Sequence, residues 1–574
     1  MREDRRGKGA GSRQGGCCGG ATGGTDGRRG PGPDAGKRPE PRGERDGTAP
    51  ALPAPGPGAR AAPRNLPPDL PAAVATLTLT PTSTHGSAAA LLWTAAERAP
   101  HAPAFVGADA DVSYAALAAR AGAFARALRG AGVRPGERVA VLLERGPDAA
   151  AAWFGAVAAG AIGVLVNDAL RPRQVEHVLD DAGAGTLVAS AAVLARHPRP
   201  LRTGARLVDP AAVPAAEAWT PDDAHEHAPA QIIYTSGSTG LPRGVLLSHG
   251  NLRACANAVA GFLGLRAEDR TASLLPFSSV YGFNQLLCAV ASGGAMAVEA
   301  SPLPSRVART LAEREVTVLA AVPPLWHALL QAPEFHTPLP ALRVMQNAGG
   351  HLPRESAARL RRIHPRAALH LMYGLTEVMR STWLPPDEID GRPGSIGRAI
   401  PGATVDVVRP DGTPCPPGEA GELVHRGPTV AVGYWNRPAE TAAVFRPAPG
   451  GARAVHTGDL ARRDADGFLY FVGRRDRVIK TLGHRVGPDE VADVLFASGE
   501  VAEAVVTAEP DSARGERIVA HVVLRADGSA DRLHAFCRME MPRWMHPARI
   551  QVHRRLPRTP AGKYDTEALR RAPA

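Results

Sequence analysis

The chain has 574 residues, too many for one ordinary hydrophobic core, so several domains or subdomains are expected. Its 44% hydrophobic residues supply enough apolar material for buried sheets and helices. The net charge of +11 is spread out: residues 1–70 carry 13 Lys or Arg against 8 Asp or Glu, which leaves +6 for the rest. That distribution excludes a concentrated nucleic-acid-binding stripe, and it fits either an anionic small-molecule substrate or a plain basic surface.

Cysteine usage and hydropathy argue for a protein of the cytoplasm. The six cysteines show no paired spacing, which favours a reducing compartment. The longest apolar run, residues 149–166, has the length of a membrane span but consists mostly of Ala and Gly, so we predict a helix that turns into a buried strand. No signal peptide is evident, and we predict no membrane span.

Residues 1–72 are predicted to be a disordered, basic, low-complexity tail. They contain almost no large apolar side chain and therefore cannot offset ordering entropy by burial. The tail is either a regulatory extension or the product of a wrongly assigned start, and we favour the second.

From residue 88 onward, helices alternate with apolar strands. The pattern predicts helices over 114–132 and 171–183, and strands over 138–144, from Gln231 and over 316–322. Because the strands are continuous apolar runs, they indicate parallel sheets covered on both faces.

After Gly391 the pattern becomes that of antiparallel strands. Asp411-Gly412 lies between two alternating segments and predicts a hairpin. Residues 467–480 are predicted to form one strand leaving the large domain. A helix opened by Pro488 and a strand over 517–524 follow, so the chain is expected to end in a small α+β domain.

The segment "YTSGSTGLPRGV", Tyr234 to Val245, is rich in Gly, Ser and Thr and follows a strand. Its exposed backbone N–H groups and the hydroxyls of Ser236, Ser238 and Thr239 suit a bound anion. It lacks the Gly-Lys-Ser/Thr ending of the nucleotide-kinase loop. Taken alone, a flexible linker and a phosphate loop are equally acceptable interpretations.

Five segments in one order resemble the motifs of the adenylate-forming superfamily, which includes acyl- and aryl-CoA synthetases, peptide-synthetase adenylation domains and luciferases. They are "TSGSTGLPRGV", "MYGLTE", "HTGDL", "GRRDRVIKTLGHRV" and "LPRTPAGKYD". Arg243 stands where the family usually has Lys. The segments "NAGGHLP" and "MYGLTEVMRSTWLPPDEIDGRPGSIGRAIPGA" are most similar to a bacterial subgroup of acyl-CoA ligases, some associated with exosortase loci.

The resemblance implies an α/β fold with a large N-terminal domain of layered sheets and a β-barrel-like subdomain (residues 88–475), followed by a small mobile α+β C-terminal domain (residues 477–574). It places the hinge at Asp476. It assigns ATP binding to Thr235, Ser236, Gly237, Ser238, Thr239, Gly240, Arg243, Gly349, Tyr373, Gly374, Asp459 and Arg474.

Within that set, the resemblance implies particular roles. Tyr373 stacks on adenine, while Asp459 and Arg474 contact the ribose. Glu377, with Thr239, holds Mg2+, a hard cation that prefers oxygen ligands. Each residue taken singly has an ordinary alternative, such as a buried tyrosine, a turn-forming aspartate or a surface arginine.

The resemblance gives Lys563 and Thr376 catalytic roles beside Glu377. Thr376 contacts phosphate, and Lys563 stabilises the charge that develops during adenylation. Gly483, His484 and Arg485 are expected to meet CoA when the small domain rotates between two half-reactions. For Arg485, a surface salt bridge is an equally acceptable interpretation.

The acyl pocket is expected to be mainly apolar, formed by Ser279, Val280, Phe283, Val322 and Gly349. Ser279 falls where many relatives carry His. No Asp stands where amino-acid-activating domains pair the α-ammonium, which argues against an α-amino acid substrate.

The resulting hypothesis is an acid–thiol ligase that uses ATP, Mg2+ and CoA and makes an acyl-CoA from a small-molecule carboxylic acid. The alternative is an acyl-AMP ligase that loads a carrier-protein phosphopantetheine. A luciferase-like oxygenase and a degenerate nucleotide-binding protein are the other candidates. The sequence does not identify the acid or the oligomeric state.

Overall fold

The computed structural model describes residues 86–107, 110–215, 219–221, 224–235, 242–448, 453–475, 477–482, 484–511 and 514–571. They belong to one compact unit, Leu70–Ala574. The predicted tail of residues 1–72 lies outside the described residues, and so do Ser236, Gly237, Ser238, Thr239, Gly240, Asp476 and Gly483.

The helices are α1 (Ala90–Arg98), α2 (Tyr114–Gly130), α3 (Pro147–Ala158), α4 (Pro172–Ala182), α5 (Ala191–Leu194), α6 (His249–Phe262), α7 (Val280–Ser292), α8 (Pro304–Glu313), α9 (Pro323–Gln331), α10 (Arg354–Ile363), α11 (Pro438–Val444), α12 (Pro488–Ala497), α13 (Ala530–Glu540) and α14 (Thr566–Arg571).

The first strands are β1 (Pro103–Val106), β2 (Val112–Ser113), β3 (Arg138–Leu142), β4 (Ile162–Leu165), β5 (Ala184–Ala189), β6 (Arg206–Val208), β7 (Pro229–Thr235), β8 (Arg243–Ser248), β9 (Arg270–Ser273), β10 (Ala295–Val298), β11 (Val318–Ala321), β12 (Val344–Asn347) and β13 (Ala368–Tyr373). The later strands are β14 (Thr382–Leu384), β15 (Ser395–Ala399), β16 (Thr404–Val408), β17 (Ala420–Arg426), β18 (Gly433–Tyr434), β19 (Phe445–Pro447), β20 (Arg453–Arg463), β21 (Leu469–Arg474), β22 (Ile479–Thr481), β23 (His484–Val486), β24 (Val501–Asp511), β25 (Gly515–Leu524) and β26 (Arg549–Val552).

Two sheets make up the large part of the molecule. The 7-stranded sheet has the order β18-β8-β7-β4-β3-β5-β6 and is parallel from β7 to β6. The 14-stranded sheet is parallel through β1, β10, β9, β11, β12 and β13, and then antiparallel through β14, β15, β21, β20, β17 and β16. The parallel halves are the buried sheets that the apolar strands predicted.

The C-terminal residues form a separate 5-stranded sheet, in which β22, β23, β24, β25 and β26 take part. Helices α12 and α13 pack on it through Val491, Leu495, Leu533 and Cys537, which are buried with the strand residues. This is the small α+β arrangement expected from the sequence. The predicted domain boundary near residue 476 remains a prediction.

Most predicted elements appear within a few residues of their expected bounds, because periodicity and capping agree locally. In α4, Val175, Val178 and Leu179 are buried on one face, and Gly183 closes the helix at φ 61°. The apolar run 149–166 is α3 followed by β4. None of the helices in the described ranges is long and apolar enough to cross a membrane.

One predicted strand is wrong. Residues 467–480 form two strands, β21 and β22, which belong to different sheets. The chain turns between them, where Arg477 N donates to the Arg474 carbonyl at 2.9 Å. The turn is not visible in the sequence, because the residues on both sides of it are apolar. Each of the two strands packs into a core of its own.

Helices α2 and α3 approach closely at Gly155. A Cβ at this position would overlap the carbonyl of Ala121 and lie 2.7 Å from Cβ of Phe124. In contrast, a Cβ at Gly261 of α6 would have no neighbour within 4 Å. The two helical glycines therefore differ in packing but share the same low helix propensity.

We predict that Gly155→Ala lowers the free energy of unfolding by about 1–3 kcal/mol, because overpacking outweighs the better helix propensity of Ala. Gly261→Ala is the matched control and should raise it by about 0.5–1 kcal/mol. Thermal and urea unfolding of the full chain would measure both. Stabilisation by Gly155→Ala would contradict the close packing.

Candidate active site

The motif residues of the large part lie where strands of both sheets end. Thr235 ends β7, and its register partner across β8 is Arg243. Gly349 follows β12, and Tyr373 ends β13, its parallel neighbour. Carboxyl ends of parallel strands are the usual ligand-binding edge of such sheets, so the motifs converge there for a topological reason.

Glu377 is a buried acid at this edge, at 8% exposure. It lies in the short 3-10 turn Thr376–Val378 directly after β13. The hydroxyl of Tyr434 donates to its Oε1 at 2.7 Å, and Arg243 Nη2 lies 3.7 Å from the same oxygen. Burial and the charge of Glu377 raise the pKa of Tyr434 above its ordinary value, so the phenol remains a donor.

Arg243 is held by more than Glu377. Its guanidinium lies 4.4 Å from the ring centroid of Tyr434, and Nη1 donates to Glu440 Oε2 at 3.3 Å. The arginine at the end of the predicted phosphate loop thus joins an aromatic face and two carboxylates. Such a planar donor set is specific to Arg and is not available to Lys.

Tyr373, Asp459 and Arg474 form one connected group. Asp459 in β20 and Arg474 at the end of β21 are register partners. The Tyr373 hydroxyl donates to Asp459 Oδ2 at 2.5 Å, and Arg474 Nε lies 3.2 Å from Oδ1. Burial and the charge of Asp459 raise the pKa of Tyr373 well above its ordinary value. Tyr373 and Asp459 are 86 positions apart along the chain, so the sequence alone does not show that they meet.

Lys563 reaches this edge from the C-terminal part. A turn carries it: Thr559 N donates to the Lys563 carbonyl at 2.7 Å, and Gly562 has φ 79°. A Cβ at Gly349 would lie 3.0 Å from Lys563 Cε and 3.3 Å from Val322 Cγ1, so only glycine leaves this path open. The side chain keeps access to solvent, as a group projecting into an open cleft does.

The charge on Lys563 is set by three influences. Desolvation by the protein atoms that crowd the cleft lowers the pKa of Lys563 although the side chain reaches solvent, the positive charge of Arg380 lowers this pKa further, and the negative charge of Glu377 raises it. Arg380 and Glu377 therefore both lie close enough to Lys563 for their charges to act on its ammonium.

Arg380 was not anticipated from the sequence. A γ-turn positions it: Met379 has φ 53° and ψ −57°, and Arg380 N donates to the Val378 carbonyl at 2.5 Å. For a residue other than glycine, this conformation costs about 1–3 kcal/mol, which the surrounding structure must hold in place. A lone arginine after the Thr-Glu pair carries no pattern that would have revealed it.

The acyl-pocket residues predicted from sequence are not all brought together. Val322 packs with Tyr281, Ala348 and Met372 in one buried cluster beside the cleft. Phe283 instead contacts Trp153, ring centroids 4.7 Å apart, in the main core.

Ser279 and Val280 also differ from that expectation. Ser279 caps α7, since its Oγ accepts from Gly282 N and donates to the Pro276 carbonyl. Val280 packs against the main core. Because the helix turns through about 100° per residue, Tyr281 and Phe283 point to nearly opposite sides of α7. Tyr281 therefore faces the cluster with Val322, where Phe283 was expected.

The predicted thiol-binding loop is described only in part. His484 stacks on Trp544, with centroids 4.2 Å apart and planes 10° apart. The backbone of Arg485 in β23 lies opposite that of Lys480 in β22, in the antiparallel register of these two strands. Gly483 and the hinge residue Asp476 lie outside the described residues, so their roles stay predictions.

Several contacts hold the C-terminal residues against the cleft. Tyr564, next to Lys563, is hydrogen-bonded to His327 Nδ1 at 2.9 Å. Asn167 Nδ2 donates to the Pro560 carbonyl at 3.0 Å. His351 Nε2 lies 2.8 Å from Asp493 Oδ1 on α12.

The site contains groups suited to a nucleotide. Asn347 Oδ1 is buried and has no hydrogen-bond partner within the described ranges, so it offers an acceptor to an amino group. A cavity of about 250 Å³ lies beside it, lined by Asn347, Gly350, Leu371, Met372 and Ile396 among others. The described ranges contain no cluster of three His, Cys, Asp or Glu able to hold a metal by themselves. One carboxylate is nevertheless enough when phosphate oxygens supply the remaining ligands of Mg2+.

Two family models match the chain. The model described as AMP-binding enzyme matches residues 92–435. The model described as AMP-binding enzyme C-terminal domain matches residues 490–563.

Individual relatives agree with those matches. The chain is 32% identical to feruloyl-CoA synthase of an Amycolatopsis species over 493 residues, covering 83% of this chain and 97% of that protein. It is 32% identical to one of the linear gramicidin synthase proteins of Brevibacillus parabrevis over 483 residues, covering 82% of this chain and 6% of that protein. The solved structure of o-succinylbenzoate CoA synthetase from Bacillus subtilis with an acyl-adenylate intermediate superposes with a TM-score of 0.73 at 28% identity, covering 84% of this chain and 98% of that one.

The His351–Asp493 contact leads to a pH-dependent prediction. Burial lowers the pKa of His351, but the hydrogen bond and charge of Asp493, supported by Asp489, raise it to about 9. The stabilisation is therefore fully present below the ordinary histidine pKa and is lost as pH rises through about 9.

We predict that His351→Gln lowers the free energy of unfolding by about 1–2 kcal/mol at neutral pH. The difference from the unmodified chain should shrink as pH rises toward 10. Thermal unfolding at several pH values would measure it, with the exposed His101→Gln as control. A difference that does not change with pH would contradict the charged contact.

Proposed function

Because the chain belongs to the AMP-binding enzyme family, we propose that it is an ATP-dependent acid–thiol ligase that converts a carboxylic acid to an acyl-adenylate and then to an acyl-CoA. The observation that carries this proposal is the position of Lys563, which enters the cleft beside Gly349 and within the electrostatic reach of Glu377. A free carboxylate is a poor electrophile, and adenylation supplies the leaving group that thioester formation needs.

In the first half-reaction, a carboxylate oxygen attacks the α-phosphorus of Mg·ATP, and the bond to the β-phosphate oxygen breaks to release pyrophosphate. Lys563 stabilises the negative charge that develops on the carboxylate and the α-phosphate. Thr376 contacts phosphate, and Glu377 supplies a carboxylate ligand to the magnesium that ATP brings. No protein nucleophile is needed, since positioning and charge stabilisation carry the step.

The nucleoside part of ATP is bound by the connected group around Asp459. The carboxylate of Asp459 accepts from the ribose hydroxyls, Arg474 contacts the same sugar, and the ring of Tyr373 provides the face for adenine. Gly374, which packs against the backbone of Arg380, and Gly349, which packs beside Lys563, border the nucleotide. Arg243, with Thr235 and residues 236–240, contacts the leaving phosphates.

In the second half-reaction, the thiol sulfur of CoA attacks the acyl carbonyl, loses its proton, and AMP leaves with the electron pair of the broken bond. Lys563 and the loop with Gly483, His484 and Arg485 belong to the same C-terminal part. They serve the two steps in turn if this part rotates about Asp476.

A second candidate acceptor is the phosphopantetheine thiol of a carrier protein. The 32% identity with a segment of the linear gramicidin synthase protein supports it. The chemistry of both half-reactions is the same, and only the recognition of the thiol differs.

We place the reaction in the cytoplasm, because the four described cysteines are free, as in a reducing compartment.

The first test is ATP–pyrophosphate exchange with a panel of aryl, fatty and short-chain carboxylic acids. At least one acid should support exchange, and adding CoA should then yield AMP and a thioester in equal amounts. The corresponding carboxamides are the control, because they lack the attacking oxygen anion. Silence across the whole panel would contradict the proposed function.

Lys563→Ala should slow acyl-adenylate formation by about 100-fold or more, since it removes a cation placed at developing charge. Thioester formation from preformed acyl-adenylate and CoA should be far less affected. Arg555→Ala, an exposed charge removal in the same segment, is the control. Equal losses in both half-reactions would contradict the two-position mechanism.

A further inference from the structure

Arg380 is a buried cation that no acid among the described residues pairs with. It is 2% exposed, and its Nε and Nη2 atoms have no hydrogen-bond partner within the described part of the chain. No ion pair joins Arg380 to an acid among those residues either. Burying an uncompensated charge is costly, and so is leaving its N–H groups unpaired. The fold nevertheless directs this side chain inward through a strained γ-turn at Met379. Strain kept at such a position is typical of a functional site, and an anion from outside the chain is the ligand that an unpaired guanidinium would bind.

The surroundings of Arg380 are apolar or neutral. The guanidinium lies 4.9 Å from the ring centroid of Tyr281, so one face is covered by an aromatic ring. The positive charge of Arg380 lowers the pKa of the Cys255 and Cys288 thiols. Burial outweighs this effect and keeps both pKa values above the ordinary value, so the thiols remain neutral. Asn284, which bonds to both sulfurs, carries no charge either.

Glu377, in the 3-10 turn just before Arg380, forms no ion pair with it among the described residues. One of its oxygens accepts from Tyr434 and faces Arg243. An anionic ligand would supply the opposite charge that the described residues do not pair with Arg380.

Arg380 belongs to the same pocket as the reacting group. Its charge lowers the pKa of Lys563, so the two cations are within electrostatic reach of each other. Tyr281, beneath Arg380, packs in one cluster with Val322, and Val322 borders the path of Lys563. An acid whose reacting carboxylate lies at Lys563 would extend along Val322 and Tyr281 toward Arg380.

We propose that the acid taken by this ligase carries a second anionic group, in the simplest case a second carboxylate, and that Arg380 binds it. The proposal rests on the function proposed above. A guanidinium binds a carboxylate through two parallel N–H···O bonds, which suits the unpaired Nε and Nη2. A monocarboxylic acid of the same length would leave both N–H groups unpaired in the pocket and would be rejected for that reason.

The test compares dicarboxylic acids of increasing chain length with the monocarboxylic acids of equal length. The rate of pyrophosphate release by the full chain gives kcat/KM for each pair. At the best length, the diacid should exceed its monoacid by about tenfold or more. Arg380→Met should reduce that ratio by about tenfold or more, and Arg380→Lys should give an intermediate ratio because it keeps the charge without the planar fork.

Arg362→Met is the matched control. Arg362 lies on α10 with an exposed side chain, so the same charge removal there should leave the diacid-to-monoacid ratio unchanged. The KM for ATP is the second readout. If Arg380→Met lowers activity equally with both acids of a pair and raises the KM for ATP, Arg380 binds phosphate and the proposal is overturned.

Thermal unfolding gives a readout that is independent of turnover. Without ligand, Arg380→Met should raise the Tm, because it removes an unpaired buried charge. A diacid should then raise the Tm of the unmodified chain more than that of the variant. A marked fall in Tm on substitution, with no change in the acid ratio, would assign Arg380 a structural role instead.

The two proposals fail differently. If only monoacids release pyrophosphate, the ligase function stands and the role of Arg380 is overturned. If neither series releases pyrophosphate and neither raises the Tm, the proposed function fails, and the inference about Arg380 fails with it.

Discussion

The approach of the Lys563 ammonium to the strand ends of the large part is the interaction on which the rest of the site depends. It is made possible by two glycines: Gly562 turns the C-terminal loop, and Gly349 leaves the space that the lysine side chain crosses. Hydrogen bonds to His327 and Asn167 hold the flanking residues in position. Without these contacts, the cation would be one more flexible lysine on the surface, and the cleft would lack the charge that an anionic transition state requires.

The cleft collects positive charge in excess of its own acids. Arg243, Arg380 and Lys563 act on it, while Glu377 is the buried carboxylate in their midst. Such an arrangement costs folding free energy in the absence of ligand and becomes favourable when anions enter. A triphosphate and a carboxylic acid provide these anions, so the electrostatics of the cleft match the substrates of the proposed reaction. The strained backbone of Met379 likewise costs folding free energy, and it positions Arg380, a cation of the cleft.

Much of the fold was predictable, because the strands and helices carry their own periodicity and caps. Parallel sheets followed from apolar runs such as β3 and β11, and α12 followed from Pro488 and its buried face. The break between β21 and β22 was missed, since the strands on both sides are apolar and the change of sheet depends on distant partners. The pocket assignment of Phe283 failed for a related reason: the helix phase relative to two competing cores is not visible in one sequence.

The sequence by itself determined the family resemblance, the alternation of elements and the identity of the motif residues, because these depend on local order along the chain. Tertiary structure alone decided which charges meet. Asp459 and Arg474 become partners through strand register, Arg243 reaches Glu377 across two sheets, and Lys563 passes Gly349. It also decided that Arg380 is buried with Nε and Nη2 unpaired in the described part of the chain. Burial and pairing are properties of the space around a side chain, and that space is assembled from residues far apart in the sequence.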